Sequence, residues 1–217
     1  MGETPPLVES RHGVGDGVVA LTFDDGPSPW SGPILDLLAE HGGRATFFVL
    51  GAAVDEPDGT ATVTRMLAEG HEVGNHTYTH HTNLPELDDE RLRGELTTTS
   101  AAIERATGRR PRYWRAPHFR SDARVRAVAG ELGLQEIGCS VITADYLWPG
   151  PQTAELVLEH LRPGDVVDLH DGRAPTDGPE ASSATREDTV EAVRLILAEM
   201  TRRGLRSVTV SELLAAR

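Results

Sequence analysis

The stretch Leu21-Thr-Phe-Asp-Asp-Gly-Pro27 decides how the rest of this 217-residue sequence is interpreted. It continues the apolar run Val18-Val-Ala and then brings two adjacent acids, Asp24 and Asp25, to a Gly-Pro pair. An apolar run that stops at Gly and Pro is typical of a buried strand followed by a turn. Neighbouring carboxylates disfavour joint ionisation unless a cation or a strong hydrogen-bond donor is near. The stretch therefore predicts a partner for these acids, such as a metal ion.

Apolar runs of strand length alternate with segments of helical periodicity along the rest of the chain. Seven runs are predicted as strands: 18–25, 45–50, 71–76, 113–116, 136–141, 165–169 and 206–208. Strands that alternate with helices predict a parallel α/β sheet, open or closed into a barrel, with functional residues at the carboxyl ends of the strands. Thr209-Val-Ser-Glu212 has the pattern of a capping box that opens a last helix. No linker is seen, so we expect a single domain over 17–217 after a polar lead-in, 1–16.

Charge and composition restrict the partners. The net charge of −13, with His counted as neutral, argues against nucleic acid and anionic membranes and is compatible with neutral or cationic substrates. Cys139 is the single cysteine of the sequence, which excludes an internal disulfide and a thiolate metal cluster. The first residues lack the basic and apolar segments of a signal peptide, so we expect a cytoplasmic protein, or a secreted one whose leader was removed. The sequence leaves the oligomeric state open.

Polar side chains gather where the predicted strands end. They are Asp24, Asp25, His76, His80, Arg115, Asp145, His170 and Asp171. Each motif alone is also typical of a solvated turn, a chance pair of histidines or a surface charge, but a parallel sheet brings all these ends to one rim. One Asp oxygen and two imidazoles form a ligand set suited to zinc, cobalt, nickel or iron. With a second carboxylate as base and a further histidine as acid, such a site would carry out metal-assisted hydrolysis of an acyl bond.

Five motifs in the same order make the sequence resemble the polysaccharide deacetylase family, also known as carbohydrate esterase family 4 or the NodB homology domain. The resemblance covers residues 17–214. The motifs are Thr22-Phe-Asp-Asp-Gly-Pro27, His76-Thr-Tyr-Thr-His80, Arg115-Ala-Pro-His118, Asp145-Tyr146 and Leu169-His-Asp171. The resemblance implies a distorted (β/α)7 barrel, with parallel strands and the site at their C-terminal ends.

The resemblance also implies a role for each motif residue. Catalytic roles fall to the general base Asp24, to Arg115 that orients it, to the general acid His170, and to its partner Asp145. One divalent metal ion, zinc with cobalt or nickel as alternatives, is held by Asp25, His76 and His80. Substrate-binding roles fall to His118, whose backbone N–H would bind the oxyanion, to Leu169 in an acetyl pocket, and to Tyr146.

Several positions differ from the family's pattern. His118 stands where the third motif usually has an aromatic residue, and Ile142 stands where the fourth motif usually begins with Asp. Tyr146 replaces a Trp, and the nearby Trp148 could fill that space against the substrate. Asp168 is an unusual charge in an apolar strand, where alternation places it on the same face as His170. Because a buried charge is costly unless it is paired, Asp168 either replaces the acid missing at 142, contacts the substrate, or pairs with an arginine.

The resemblance therefore predicts a metal-dependent hydrolase that removes acetyl groups from N-acetylated amino sugars, as in chitin oligomers or peptidoglycan, by attack of metal-activated water. The same residues would serve an O-acetyl xylan esterase or the deacylase of a small metabolite, and both are alternatives. A barrel that binds carbohydrate without catalysis is the non-enzymatic alternative. It predicts a broken ligand set or a missing acid or base, whereas all of these residues are present in the sequence.

Overall fold

The computed structural model describes residues 7–10, 17–176 and 185–216, which fold as alternating strands and helices. The strands are β1 Val18–Asp24, β2 Thr46–Val49, β3 Glu72–Asn75, β4 Tyr113–Trp114, β5 Gln135–Glu136, β6 Val166–His170 and β7 Arg206–Ser207. The helices are α1 Ser31–Glu40, α2 Gly51–Val54, α3 Pro57–Ala68, α4 Asp89–Thr107, α5 Ala123–Glu131, α6 Gly150–His160, α7 Glu187–Arg202 and α8 Val210–Ala215. None of these helices, in the part of the chain described, is long and apolar enough to cross a membrane.

The sheet is built around β1. Within the described ranges the seven strands pair in parallel in the order β5-β4-β3-β2-β1-β6, and β7 pairs with the first two residues of β1. After β5 the chain returns to the sheet at Val141, which forms a parallel bridge with Val167 of β6 and accepts the N–H of Asp168 at 2.9 Å. This contact joins the β5 side to β6 and curls the sheet toward a closed barrel. The predicted count of seven parallel strands is confirmed.

Burial on both faces explains the apolar sequence of β1. Leu21 and Phe23 face outward and pack in a cluster with the inner faces of α1, α3, α6 and α7. Ala20 faces inward and joins a second cluster, inside the barrel. The register between β1 and β6 sets Thr22 opposite Asp168 and Asp24 opposite His170. Polar inward-facing residues of neighbouring strands are therefore side by side at the carboxyl end of the sheet.

Three predicted elements differ from those observed. β4 ends at Trp114 rather than at 116, because residues 117–119 turn with His118 and Phe119 at φ values of 53° and 55°. β5 covers Gln135–Glu136, and the rest of the predicted strand 136–141 meets the sheet again at its last residue. The sequence also predicts a helix over 62–69; the corresponding helix, α3, begins five residues earlier, at Pro57, because proline suits the first turn of a helix.

The two ends of the chain pack on the barrel. Of the predicted lead-in, 1–16, the structure describes residues 7–10, where Val8 bridges to Ile137 and Ser10 bridges to Asp165. The domain boundary at 17 stays a prediction. The capping box is confirmed, since the Thr209 hydroxyl accepts the N–H of Glu212 at 3.2 Å and the Thr209 N–H donates to the Glu212 carboxylate at 3.0 Å.

Candidate active site

The carboxyl end of β1 brings two acids into one cavity. Asp24 is the last residue of the strand, and Asp25 follows with a φ of 70°. This positive φ ends the alternation of side chains along the strand, so both carboxyl groups line the cavity instead of pointing to opposite faces of the sheet. The chain after β6 packs on this turn, because the N–H groups of Asp171 and Gly172 both donate to the Asp24 carbonyl, at 3.1 and 3.2 Å.

Asp25 faces two histidines that follow β3. Nε2 of His76 lies 3.4 Å from Asp25 Oδ1, and Nε2 of His80 lies 3.3 Å from the same oxygen. Nδ1 of His76 lies 2.9 Å from the Arg115 carbonyl, which can only accept, so Nδ1 carries the proton. Thr176 Oγ1 donates to the His80 carbonyl at 3.0 Å and therefore accepts from His80 Nδ1 at 2.7 Å. In their neutral forms, both imidazoles thus turn the lone pair of Nε2 toward Asp25.

These three residues, called the metal triad below, have the donor atoms of a candidate metal-binding site. Their ligand atoms lie within 4.8 Å of one another, and Asp25 Oδ1 has no hydrogen-bond partner among the described residues. A bound cation would supply the partner that this buried carboxylate oxygen lacks. Burial raises the pKa of Asp25, but His76 and His80 outweigh it and hold that pKa well below its usual range. Burial also lowers the pKa of His80 to about 3, which keeps its ring neutral and able to coordinate.

A buried arginine holds Asp24. Nη1 of Arg115 donates to Asp24 Oδ1 at 2.9 Å, to Thr22 Oγ1 at 2.8 Å and to Asp168 Oδ1 at 3.0 Å. The other guanidinium nitrogens donate to two backbone carbonyls, at 3.1 and 2.8 Å, and the group packs 4.4 Å from the centre of the Phe48 ring. These contacts fix the guanidinium in one orientation. The structure therefore brings Arg115 and Asp24 together, as the third motif implied.

His170 at the end of β6 forms a second pair with Asp145. Nδ1 of His170 donates to Asp145 Oδ1 at 2.8 Å, and the His170 N–H donates to Oδ2 at 2.9 Å. The hydroxyl of Thr189 on α7 also donates to Oδ2, at 2.7 Å. Burial lowers the pKa of His170, but Asp145 and then Asp168 outweigh burial and raise it well above its ordinary value. These carboxylates therefore favour the protonated form of the ring, whose Nε2 side is turned away from Asp145.

Most of these side chains line one cavity at the carboxyl end of the sheet. It has a volume of about 400 Å³ and contains the metal triad, Asp24, Asp168 and His170. A family model described as polysaccharide deacetylase matches residues 11–137. The chain belongs to the polysaccharide deacetylase family.

Relatives and solved structures agree with this membership. A chitooligosaccharide deacetylase of Bradyrhizobium sp. (strain ANU 289) is 39% identical over 213 residues, which cover 94% of this chain and 95% of that protein. A peptidoglycan-N-acetylglucosamine deacetylase of Bacillus cereus is 34% identical over 201 residues, with 91% and 88% covered. The crystal structure of a peptidoglycan N-acetylglucosamine deacetylase matches this fold with a TM-score of 0.86. The two sequences are 28% identical, and the match covers 97% of this chain and 94% of that one. The predicted family, the barrel fold and the class of deacetylating hydrolase are confirmed.

Asp168 occupies a different place from the acid that the family has at position 142. Asp168 is 2% exposed and lies at the base of the cavity on Arg115, whereas Ile142 is 61% exposed at the cavity mouth. Of the expectations from the sequence, the pairing with an arginine is confirmed. That arginine is the one that holds Asp24, so the ion pair belongs to the active site. Burial and the neighbouring Asp24 raise the pKa of Asp168 to about 7.

Only some of the substrate-binding residues implied by the motifs line the cavity. His118 and Tyr146 line the cavity, where the His118 ring meets the His80 ring edge-on at 4.9 Å and the Tyr146 ring meets His170 at 5.0 Å. Leu169 and Trp148 are not among the described residues that line it. Leu169 alternates with its neighbours in β6 and packs, fully buried, in the outer cluster beneath the helices. The predicted acetyl-pocket role of Leu169 finds no support in this placement, and the roles of His118, Tyr146 and Trp148 stay predictions.

Sequence reasoning missed residues that hold the side chains of the site in place. Thr176 fixes the ring of His80, and Thr189 fixes Asp145, but no motif or spacing marks either residue. The sequence places Asp171 at the rim but assigns it no role. Its carboxylate packs against Gly26 and accepts a hydrogen bond from the Ser31 hydroxyl, and its carbonyl accepts one from the Ser28 hydroxyl. Asp171 therefore stabilises the turn that carries Asp25. Burial raises the pKa of Asp171 to about 7.

The contact between Gly172 and this turn gives a first prediction. A Cβ added at position 172 would overlap the backbone carbonyl of Asp25, so Gly172→Ala must displace the turn. We expect a lower Tm and weaker zinc binding than in wild type, measured by calorimetry and by competition with a chromophoric chelator. Gly94→Ala is the control, because nothing lies within 4 Å of that Cβ and alanine in a helix is favoured by roughly 0.5–1 kcal/mol. Equal Tm and zinc affinity for Gly172→Ala and wild type would contradict the clash.

Proposed function

We propose that this chain hydrolyses the N-acetyl group of N-acetylglucosamine units in chitin oligosaccharides or peptidoglycan, with Asp24 as base and His170 as acid. The observation that carries the proposal is the convergence of the metal triad, the Asp24–Arg115 pair and the His170–Asp145 pair on one cavity. The substrate class is supported by the relatives, which are named for chitooligosaccharides and for peptidoglycan N-acetylglucosamine. We further propose zinc as the metal, with cobalt or nickel as alternatives, because the donors are one carboxylate oxygen and two imidazoles.

The two carboxylates at the end of β1 have separate roles in this proposal. Asp25, His76 and His80 would hold a divalent ion, whose Lewis acidity would lower the pKa of water to about 7 and polarise an acyl carbonyl. Asp24 Oδ1 accepts from Arg115, while its Oδ2 lies 3.7 Å from Nε2 of His76, beside the triad. Oδ2 is thus placed to take the proton of the attacking water. The hydrogen bond from Arg115 holds this carboxylate in one orientation.

His170 completes the reaction from the β6 side. The C–N bond of the acetamide breaks when the nitrogen receives a proton, and the products are acetate and a free amine. Asp145 and Asp168 raise the pKa of His170 and so favour its protonated form, and the bond from Nδ1 to Asp145 leaves Nε2 to donate. Asp24 and His170 lie opposite each other in the β1–β6 register, which sets the proposed base and the proposed acid side by side at the carboxyl end of the sheet.

Release of acetate tests the proposal. Metal-stripped protein is supplied with zinc, cobalt or nickel and then with chitin oligosaccharides, acetylated xylan or small N-acetyl compounds, and acetate and product masses are measured by mass spectrometry. We expect acetate from chitin oligosaccharides with at least one of the metals. Acetate from acetylated xylan or from the small compounds alone would contradict the substrate class. No acetate from any substrate with any metal would overturn the function.

The pH profile tests the environment of His170. His170 must be protonated to act as an acid, so activity is lost as pH rises through its pKa. Asp168→Asn removes a negative charge that raises this pKa, and the alkaline limb of kcat against pH should move to lower pH by about one unit. Glu155→Gln, an exposed acid on α6, is the control and should leave the limb in place. An unchanged limb and unchanged kcat in Asp168→Asn would show that Asp168 has no part in the reaction.

A further inference from the structure

The loop between the two histidines of the metal triad is held by one carboxylate on α4. Glu95 Oε2 accepts the backbone N–H groups of Tyr78 and Thr79, both at 2.8 Å. Its other oxygen, Oε1, accepts the Thr79 hydroxyl at 2.8 Å. Hydrogen bonds to an ionised acceptor are stronger than those between neutral groups. A single side chain outside the five motifs thus binds the middle of the segment that joins His76 to His80.

A second tether connects the same loop to the same helix. Asn75, the last residue of β3, accepts the N–H of Thr77 through Oδ1 at 2.8 Å. Its Nδ2 donates to the Leu96 carbonyl at 2.8 Å and to the Ser100 hydroxyl at 3.0 Å, both on α4. Three successive backbone N–H groups, from 77 to 79, are therefore bound by side chains rather than by a strand or helix.

The loop needs this support because two of its residues have unfavourable backbone conformations. Thr77 has a φ of 69° and His80 a φ of 59°. Positive φ is uncommon for any residue but glycine and is a marked outlier for a β-branched residue such as threonine. Such conformations persist when the surroundings determine them more strongly than local preference does. Without its contacts to α4, the loop would relax, and the position of His80 relative to His76 would change.

From these contacts we infer that Glu95 is a positioning residue for the metal triad. It sets the geometry of His80, and hence the affinity for the metal ion, through the backbone of residues 78 and 79. It acts through the loop and not on the metal or the substrate. The inference rests on the metal site of the proposed function but not on its substrate.

Three variants of α4 separate the hydrogen bonds of Glu95 from its charge. Glu95→Ala removes all three bonds. Glu95→Gln removes the charge but can keep the bonds, because the amide oxygen accepts the two N–H groups and the amide nitrogen donates to the Thr79 hydroxyl. Glu90→Ala alters an exposed acid on the same helix and is the matched control. Thr79→Ala removes one bond of the three without touching the helix.

Zinc affinity, measured by competition with a chromophoric chelator, and the visible spectrum of the cobalt-loaded protein are the readouts. We expect Glu95→Ala to change the cobalt spectrum and to weaken zinc binding by about tenfold or more, because loss of a residue that orients a metal ligand typically has an effect of this size. Thr79→Ala should show a smaller loss, while Glu95→Gln should keep most of the wild-type affinity and Glu90→Ala all of it. A Tm for each variant shows that it is folded.

The outcomes distinguish this inference from the proposed function. Unchanged zinc affinity and cobalt spectra in both Glu95→Ala and Thr79→Ala would overturn the role of Glu95, even if the wild-type protein deacetylates chitin oligosaccharides. The same holds if Glu90→Ala weakens zinc binding as much as Glu95→Ala does. A wild-type protein that binds zinc with the expected dependence on Glu95 but releases no acetate would overturn the function and leave the role of Glu95 standing.

Discussion

Replacing Asp24 with Asn is expected to lower kcat by about 10³-fold, within the range that general-base catalysis supplies. Asn keeps the shape of the side chain, and its carbonyl oxygen can still accept the hydrogen bond from Arg115. It cannot take a proton from water, which is the role proposed for the oxygen that lies 3.7 Å from His76. Because Asp24 is not a member of the metal triad, the protein should still bind one zinc ion. Steady-state kinetics on a chitin oligosaccharide and metal analysis after dialysis measure the two effects separately.

Asp36→Asn provides the control for this substitution. Asp36 is exposed on α1 and pairs with Arg65 at the surface, far in the fold from the carboxyl end of the sheet. It should leave kcat and zinc content unchanged. A kcat near the wild-type value for zinc-loaded Asp24→Asn would contradict the assignment of Asp24 as the base. Loss of zinc together with activity would show that Asp24 instead belongs to the metal site.

The strands that carry the site were predictable because of their burial. β1 is covered on both faces, so its sequence is a continuous apolar run, and its end is marked by Gly26-Pro27. The same reasoning located β6, whose register with β1 sets His170 beside Asp24. A parallel sheet collects strand ends on one rim, so the residues at those ends could be grouped before any contact was known. The metal triad and its neighbouring acid and base follow from this rule together with the motifs.

Contacts that depend on the path of loops were not predictable. The Thr176 hydroxyl reaches His80 across 96 residues, and Thr189 reaches Asp145 across 44, yet neither threonine has a distinctive spacing. Glu95 is one of several acids on a polar helix, and its bonds to residues 78 and 79 depend on how α4 packs. Trp148 is close to Tyr146 in the sequence but is not among the described residues that line the cavity, so its role stays a prediction.

Asp168 shows how far strand alternation can be used. The alternation correctly placed Asp168 on the inner face with His170. It also places Leu169 on the outer face, whereas the family resemblance implies a role for Leu169 in an acetyl pocket. It could not identify the partner of Asp168, because Arg115 follows β4, which three strands separate from β6 in the sheet. The pairing forms because the curled sheet brings Thr22, Asp24 and Asp168 within hydrogen-bond distance of one guanidinium group.

Replacing Asp25 with Ala is expected to remove both the metal and the activity. Asp25 supplies the anionic oxygen that lies 3.3 to 3.4 Å from the two imidazoles and has no hydrogen-bond partner among the described residues. Loss of a residue that merely orients a ligand costs roughly 10- to 100-fold in metal affinity, so loss of a ligand should exceed about 100-fold. Zinc content after dialysis, zinc affinity by chelator competition, and acetate release from a chitin oligosaccharide measure the effect.

The contrast between Asp25→Ala and Asp24→Asn decides whether the two adjacent carboxylates have different roles. Asp25→Ala should lose zinc, and added zinc, cobalt or nickel at moderate concentration should not restore activity. Asp24→Asn should hold zinc and stay inactive, whereas wild-type protein stripped with a chelator should regain activity when metal returns. Asp36→Ala, at the exposed control position, should behave as wild type does. If Asp25→Ala retained one tightly bound zinc ion, the cation would have to lie elsewhere in the cavity, and the positive φ that turns Asp25 toward the histidines would need another explanation.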